Sequence, residues 1–289
     1  MAGERLTVFL LTYNHAKYIR KAFDSILAQE TNFSFKIIVL DDASTDGTSD
    51  IVREYAGKYP DKITPVIREK NMGVVENMYG GLCKVDTEYF ATLEGDDYWR
   101  DNHKIQRQIE LLDADPSCDI CGHDAWIKRF DEVDAKRLHQ YDTTGKSDII
   151  VFEGRTMPKV HPSTRIYRHV YDFSKVSPHS AVVWDSSSFW FYCLQNPKFI
   201  FINQPMAVYN FTGEGVYSGL DRNKRKLMTL RGIMEFDEAL GYKYDDFNRE
   251  RFRRELYKRH RLLFYAVYFF MKRRAYDWFI NRYTGYNQA

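Results

Sequence analysis

Four short apolar runs rich in β-branched residues, each closed by a polar cluster and separated by stripes of helical period, leave few folds open to this chain. The first, residues 6–11 (LTVFLL), stops at Thr12-Tyr13-Asn14-His15. Ile19, Ala22, Phe23, Ile26 and Leu27 then fall at helical spacing, with Asn14 placed as the cap. The second run, residues 35–40 (FKIIVL), ends abruptly at Asp41-Asp42-Ala43-Ser44, and Ile51, Val52, Tyr55, Ala56 and Tyr59 form the next stripe. A third run, residues 63–67, leads to Asn71-Met72-Gly73 and a helix through about Val85. The fourth, residues 89–93, runs into Glu94-Gly95-Asp96-Asp97, and a helix carrying Ile105, Ile109 and Leu112 follows. Strands separated by single helices predict right-handed crossovers and a mixed, mainly parallel α/β sheet flanked by helices. Ligands bind at the carboxyl ends of such strands. Thr12-Tyr13-Asn14, Asp41-Asp42 and Glu94 to Asp97 are therefore expected to converge on one crevice.

Acids at strand ends, without a His-rich or Cys-rich partner, form a hard-oxygen site suited to Mn²⁺ or Mg²⁺. Such an ion bridges carboxylates to phosphate oxygens and neutralises a diphosphate leaving group. Taken singly, Asp41-Asp42 reads equally as a turn cluster, and Glu94 to Asp97 as a solvated loop. Their shared position at neighbouring strand ends is what favours a site. No GxxxxGK[ST] loop and no GxGxxG after the first strand is present, which excludes P-loop and dinucleotide-binding readings. Cys118-x-x-Cys121 lacks a second ligand pair for structural zinc, and its segment reads as a short buried strand.

The ordered set Leu10-Leu11-Thr12-Tyr13-Asn14, Val39 to Thr48, Asn71-Met72-Gly73 and Leu93 to Trp99 resembles the motifs of the family-2 glycosyltransferases, of the bacterial surface-polysaccharide type. The likeness is dense over residues 6–125 and looser to about 218. It implies the GT-A fold, with a catalytic domain over 1–218, made of a nucleotide half (1–125) and an acceptor half (126–218). Residues 219–289 would be a helical basic and aromatic extension. It also implies inverting transfer of a sugar from a nucleotide diphosphate, a UDP-sugar, to a glycan or lipid-linked acceptor in cell-surface polysaccharide synthesis. On this resemblance Tyr13 lies on the base with Leu11, Thr12 and Asn14 around it. Asp41, Asp42 and Asn71 join the nucleotide site. Glu94-Gly95-Asp96 stands at the family's DxD position, with Glu for the first Asp; Asp96 contacts ribose, and Asp96, Asp97 and Glu94 form the metal set. Asp185, at the head of a helix, is the implied general base, with Asp172 as the alternative. Thr212 occupies the place of a His in a closing segment with Gly213 and Gly215. His161-Pro162-Ser163-Thr164-Arg165 falls on the acceptor side, or forms a buried turn.

Charge is uneven along the chain. Residues 249–274 hold ten Lys and Arg against two Glu, while the whole chain carries only +2. That total predicts no nucleic-acid partner. The apolar run 262–271 between basic flanks is too short to span a bilayer. It suits a helix on an anionic membrane surface, or one packed on the domain. The chain opens without a signal-peptide pattern, so a cytoplasmic protein, peripheral on the inner face of the membrane, is expected. Two rivals remain: a sugar-nucleotide nucleotidyltransferase, disfavoured because Thr12 to Ala16 is not a Gly-rich basic loop, and a catalytically silent nucleotide-binding scaffold.

Overall fold

The computed structural model describes residues 3–129, 136–138, 147–153, 158, 160–170 and 198–213, all of which fall in one compact unit. In chain order the elements are β1 (Leu6–Thr12), α1 (Ile19–Leu27), β2 (Phe35–Asp41), α2 (Thr48–Lys58), β3 (Ile63–Ile67), α3 (Val74–Leu82), β4 (Tyr89–Glu94), β5 (Tyr98–Trp99) and α4 (Lys104–Ala114). There follow β6 (Ile120–Arg129), β7 (Lys136–Arg137), β8 (Ile149–Phe152), a 3₁₀ turn (Pro162–Thr164), β9 (Ile166–Arg168) and β10 (Phe199–Phe211). Among the described residues the strands form one mixed sheet in the order β3-β2-β1-β4-β9-β6-β10-β5, with β7 beside β6 and β8 beside β10.

The first half is parallel, as the strand–helix alternation predicts. β1 lies between β2 and β4 with all seven residues buried, the continuous burial expected of a parallel strand covered on both faces. Its neighbours are in register at the carboxyl end, where Thr12 pairs with Asp41 and Leu11 with Glu94. α1 buries Ile19, Ala22, Phe23 and Ile26, one face of a helix. Phe23 stacks on Tyr55 of α2 with ring centroids 4.3 Å apart. Burying a phenylalanine this fully contributes about 2–3 kcal/mol.

The second half brings in antiparallel neighbours. β9 runs against both β4 and β6, and β10 runs parallel to β6 but against β5 and β8. Register shifts on either side of Pro205 let β10 pass from one set of neighbours to the other. Cys118 and Cys121 are free thiols buried in this core. One local expectation is corrected. Asn14 does not cap α1, which begins after Tyr18 with no side-chain cap. Asn14 instead takes a left-handed φ of 55°, and its side chain accepts the Thr45 N–H at 2.9 Å. The extension expected from residue 219, and the boundary at 218, lie outside the described residues.

Candidate functional site

The three polar clusters do meet. Asp42 N–H donates to the Thr12 carbonyl at 3.0 Å, and Gly95 N–H to the Leu11 carbonyl at 2.7 Å, so both neighbours of β1 continue hydrogen bonding past their last strand residue. Gly95 is required by close approach. A Cβ there would lie 2.7 Å from His15 Nδ1 and 2.9 Å from Thr12 Oγ1.

One side of the crevice is laced shut by hydrogen bonds. Asn14 N–H donates to Ser44 Oγ, His15 N–H to Thr48 Oγ1 and Ala16 N–H to Asp46 Oδ2, each at 2.9 Å. Although burial pushes its carboxyl up, bonds from Thr48 and Ala16 hold Asp46 below the ordinary aspartate value. Asp41 is fully buried, and its carboxylate accepts from the Ser44 and Ser49 hydroxyls. Its oxygens are thus committed to the loop that follows β2. Asp42 is 3% exposed and accepts the N–H groups of Met72 and Gly73, both at 2.8 Å. It fixes the turn before α3, where Asn71 Oδ1 also accepts from Gly73 N–H. Ala43 between these residues holds a left-handed φ of 62°, a strain of about 1–2 kcal/mol for a residue with a Cβ. Leu11 and Thr12 are buried, whereas Tyr13 is 44% exposed at the rim, with Met72 and Val74 also presenting apolar surface.

The other side is electrostatically unsatisfied. Glu94 Oε2, Asp97 Oδ2, Thr12 Oγ1 and His15 Nδ1 are all buried without a hydrogen-bond partner. Asp97 is 1% exposed; its Oδ1 accepts the Asn210 N–H at 2.9 Å, which ties the end of β10 to the acid. Burial first, then the charge of Asp96, pushes the Glu94 carboxyl up to about 7. Burial with Asp96 and Glu94 pushes Asp97 well above the usual range. Asp96 is also raised by burial, an effect partly offset by His15. The same acids and burial push the Tyr209 hydroxyl up to about 12.

His161 completes the cluster. Ligand atoms of Glu94, Asp97 and His161 all lie within 4.8 Å of one another, and His161 Nδ1 is 3.3 Å from Asp97 Oδ2. The ring stacks on Tyr209 at 4.1 Å between centroids. Buried carboxylate oxygens that lack partners are costly unless a cation is supplied. The donor set therefore fits a divalent ion, with Glu94 and Asp97 facing each other and Asp96 outside that group. His161 sits just before the 3₁₀ turn, whose Ser163 and Thr164 are fully buried. The turn expected from the sequence is present, but its histidine faces the acids. No spacing signal pointed there, since β9 folds back beside β4 only in three dimensions. Asp185, Asp172 and Gly215 lie outside the described residues; Thr212 and Gly213 close the described part of the chain after β10.

A family model described as Glycosyl transferase family 2 matches residues 7–172, more than half of the chain. The chain belongs to glycosyl transferase family 2. An uncharacterized protein of Mycobacterium tuberculosis is 30% identical over 230 residues, covering 78% of this family-2 chain and 64% of the relative, so the chain spans less than two thirds of that protein. Among solved structures, S. aureus TarS 1–349 in complex with UDP has a TM-score of 0.60 at 17% identity, covering 96% of this chain and 78% of TarS. The mannosyltransferase PcManGT of Pyrobaculum calidifontis, in complex with GDP-Man and Mn²⁺, gives 0.56 at 16% identity, covering 96% and 81%. These two share the fold with the present chain: a GT-A arrangement of a mixed sheet.

Proposed function

We propose that this family-2 chain transfers a sugar from a UDP-linked donor to a hydroxyl of a glycan or lipid-linked acceptor, with inversion and with Mn²⁺ or Mg²⁺, in cell-surface polysaccharide synthesis. The observation that carries the reading is the set of buried, unpartnered polar atoms at the strand ends, above all the oxygens of Glu94 and Asp97. A cation bound there supplies positive charge to a departing diphosphate. Tyr13, at the exposed rim, offers a face for the base, with Thr12, Asn14 and Asn71 around it and Asp96 toward the ribose. The Asp42 oxygens, each already taking one N–H, keep lone pairs for a donor on the nucleotide. TarS has also been solved in complex with UDP-GlcNAc, which favours a UDP donor here.

In the reaction, the acceptor hydroxyl passes its proton to Asp185. Its oxygen forms a bond to the anomeric carbon from the face opposite the diphosphate. The bond from that carbon to the diphosphate oxygen breaks, and the electron pair leaves with the diphosphate. Asp185 is assigned on the family resemblance. The same reading sets the basic segment 249–289 on the anionic inner face of the membrane.

The test is a panel of UDP, GDP and dTDP sugars scored for binding and for divalent-dependent hydrolysis. Turnover of a UDP-sugar with Mn²⁺ or Mg²⁺ is expected. Absence of binding and turnover for every donor sinks the proposal. Asp185→Asn should abolish transfer with UDP affinity nearly intact, and removal of 249–289 should release the protein from anionic vesicles.

A further inference from the structure

The imidazole of His161 is held more firmly than a surface side chain has reason to be. It stacks on Tyr209, and its Nδ1 lies 2.7 Å from Ser163 Oγ. The turn behind it is pinned from two sides: Trp99 Nε1 donates to the Ser163 carbonyl at 2.8 Å, and Gln108 Nε2 to the Thr164 carbonyl at 2.9 Å. These contacts hold the ring in place. The same edge of the ring lies beside an acid pair containing Asp97, a side chain 1% exposed whose Oδ2 is buried without a hydrogen-bond partner 3.3 Å from Nδ1. Nδ1 is engaged with Ser163 Oγ instead, and a cation among the ligand atoms of Glu94, Asp97 and His161, which lie within 4.8 Å of one another, would draw the ring nitrogen from that hydroxyl.

We infer that His161 is a nitrogen ligand to the cation held by Glu94 and Asp97, and that it makes the site rank Mn²⁺ above Mg²⁺. The inference rests on the metal-assisted transferase reading above, and it changes the donor set from all-oxygen to mixed. Magnesium holds to oxygen ligands and octahedral geometry, whereas imidazole suits the first-row transition ions. Asp96, which His15 faces, is then left free for the nucleotide.

The test uses the full chain with Mn²⁺ and UDP, read by pulsed electron paramagnetic resonance for ¹⁴N modulation from a directly bound nitrogen. Wild type should show that modulation, His161→Gln should lose it, and His15→Gln should keep it. Mn²⁺ affinity, followed by the free-ion signal with Mg²⁺ as competitor, should fall about tenfold or more in His161→Gln. His161→Asp, which restores an oxygen donor, should bind again with the Mn²⁺ preference over Mg²⁺ narrowed. Bound Mn²⁺ without nitrogen modulation in wild type, or modulation that survives His161→Gln, overturns the ligand assignment and leaves the transferase reading standing. No Mn²⁺ binding by wild type in the presence of UDP overturns both. Because the decisive signal is read on the unaltered protein, poor folding of a variant does not mask the answer.

Discussion

Two acidic clusters sit at the ends of the strands that flank β1, and they are opposites in physical terms. After β2, every carboxylate oxygen of Asp41, Asp42 and Asp46 accepts at least one hydroxyl or backbone N–H, and Asp46 is held below its ordinary value. After β4, Glu94 and Asp97 keep buried oxygens without partners, and both are pushed above theirs. Similar residues a few ångströms from the same strand thus do different work. The partnered set builds the loops that shape the crevice. The unsatisfied set stores electrostatic cost that a bound cation would relieve.

The sharpest way to break this contrast is to remove one acid from each side and compare signs. Asp97→Asn keeps an acceptor for Asn210 N–H and deletes a repelled buried charge. Transfer should fall at least about 100-fold, on the scale of losing one electrostatic stabiliser in a site, while the melting temperature measured in EDTA rises. A fall in that temperature would mean that Asp97 is structural. Asp41→Ala should do the reverse to stability. Loss of charge-assisted bonds from Ser44 and Ser49 costs about 3 kcal/mol, so thermal or urea unfolding should show a clear drop.

A pH series sharpens the contrast further. Raised carboxyl values in Glu94 and Asp97 mean that the folded chain holds more protons than the unfolded one between about pH 4 and pH 7. Stability without a divalent ion should therefore decline as pH rises through that window, and added Mn²⁺ should offset the decline near pH 7–8. Asp46, with its lowered value, contributes in the opposite sense, its share being lost as pH falls below the ordinary aspartate value. A flat profile in EDTA would remove the electrostatic argument. The smallest effect is expected at Ala43. Ala43→Gly relieves the left-handed strain but adds unfolded-state entropy, so unfolding free energy should move by less than about 1 kcal/mol.

What the sequence discloses follows the same divide. β1, β2, β3 and β4 are local apolar runs with clear polar stops, and their observed ends differ from the expected ones by at most one residue. β6 runs well past the short strand expected at Cys118 to Cys121, and β10 had no counterpart among the expected strands, because polar residues interrupt both. His123 and Asp124 are buried inside β6, where Asp124 pairs with Arg137 at 2.7 Å. In β10, Asn203, Gln204 and Pro205 fall at the register shifts. The acids were visible because each cluster closes a strand of its own, Asp41-Asp42 after β2 and Glu94 to Asp97 after β4. Their partners were not: Asn210 meets Asp97 across 113 residues, and His161 arrives through a strand that pairs antiparallel with β4. Asn14 shows the converse error, a good capping residue drawn away by a better offer from Thr45.

Gly95 sets a limit on how such a site can be altered. A side chain at position 95 would run into those of His15 and Thr12, so a fourth group enters the centre of the loop only by displacing them. On the proposed reading, a change of ion is most readily made at the flanking acids or at the histidine opposite. For an engineer seeking a different metal or sugar, the chain offers a frame with a fixed hub and interchangeable spokes.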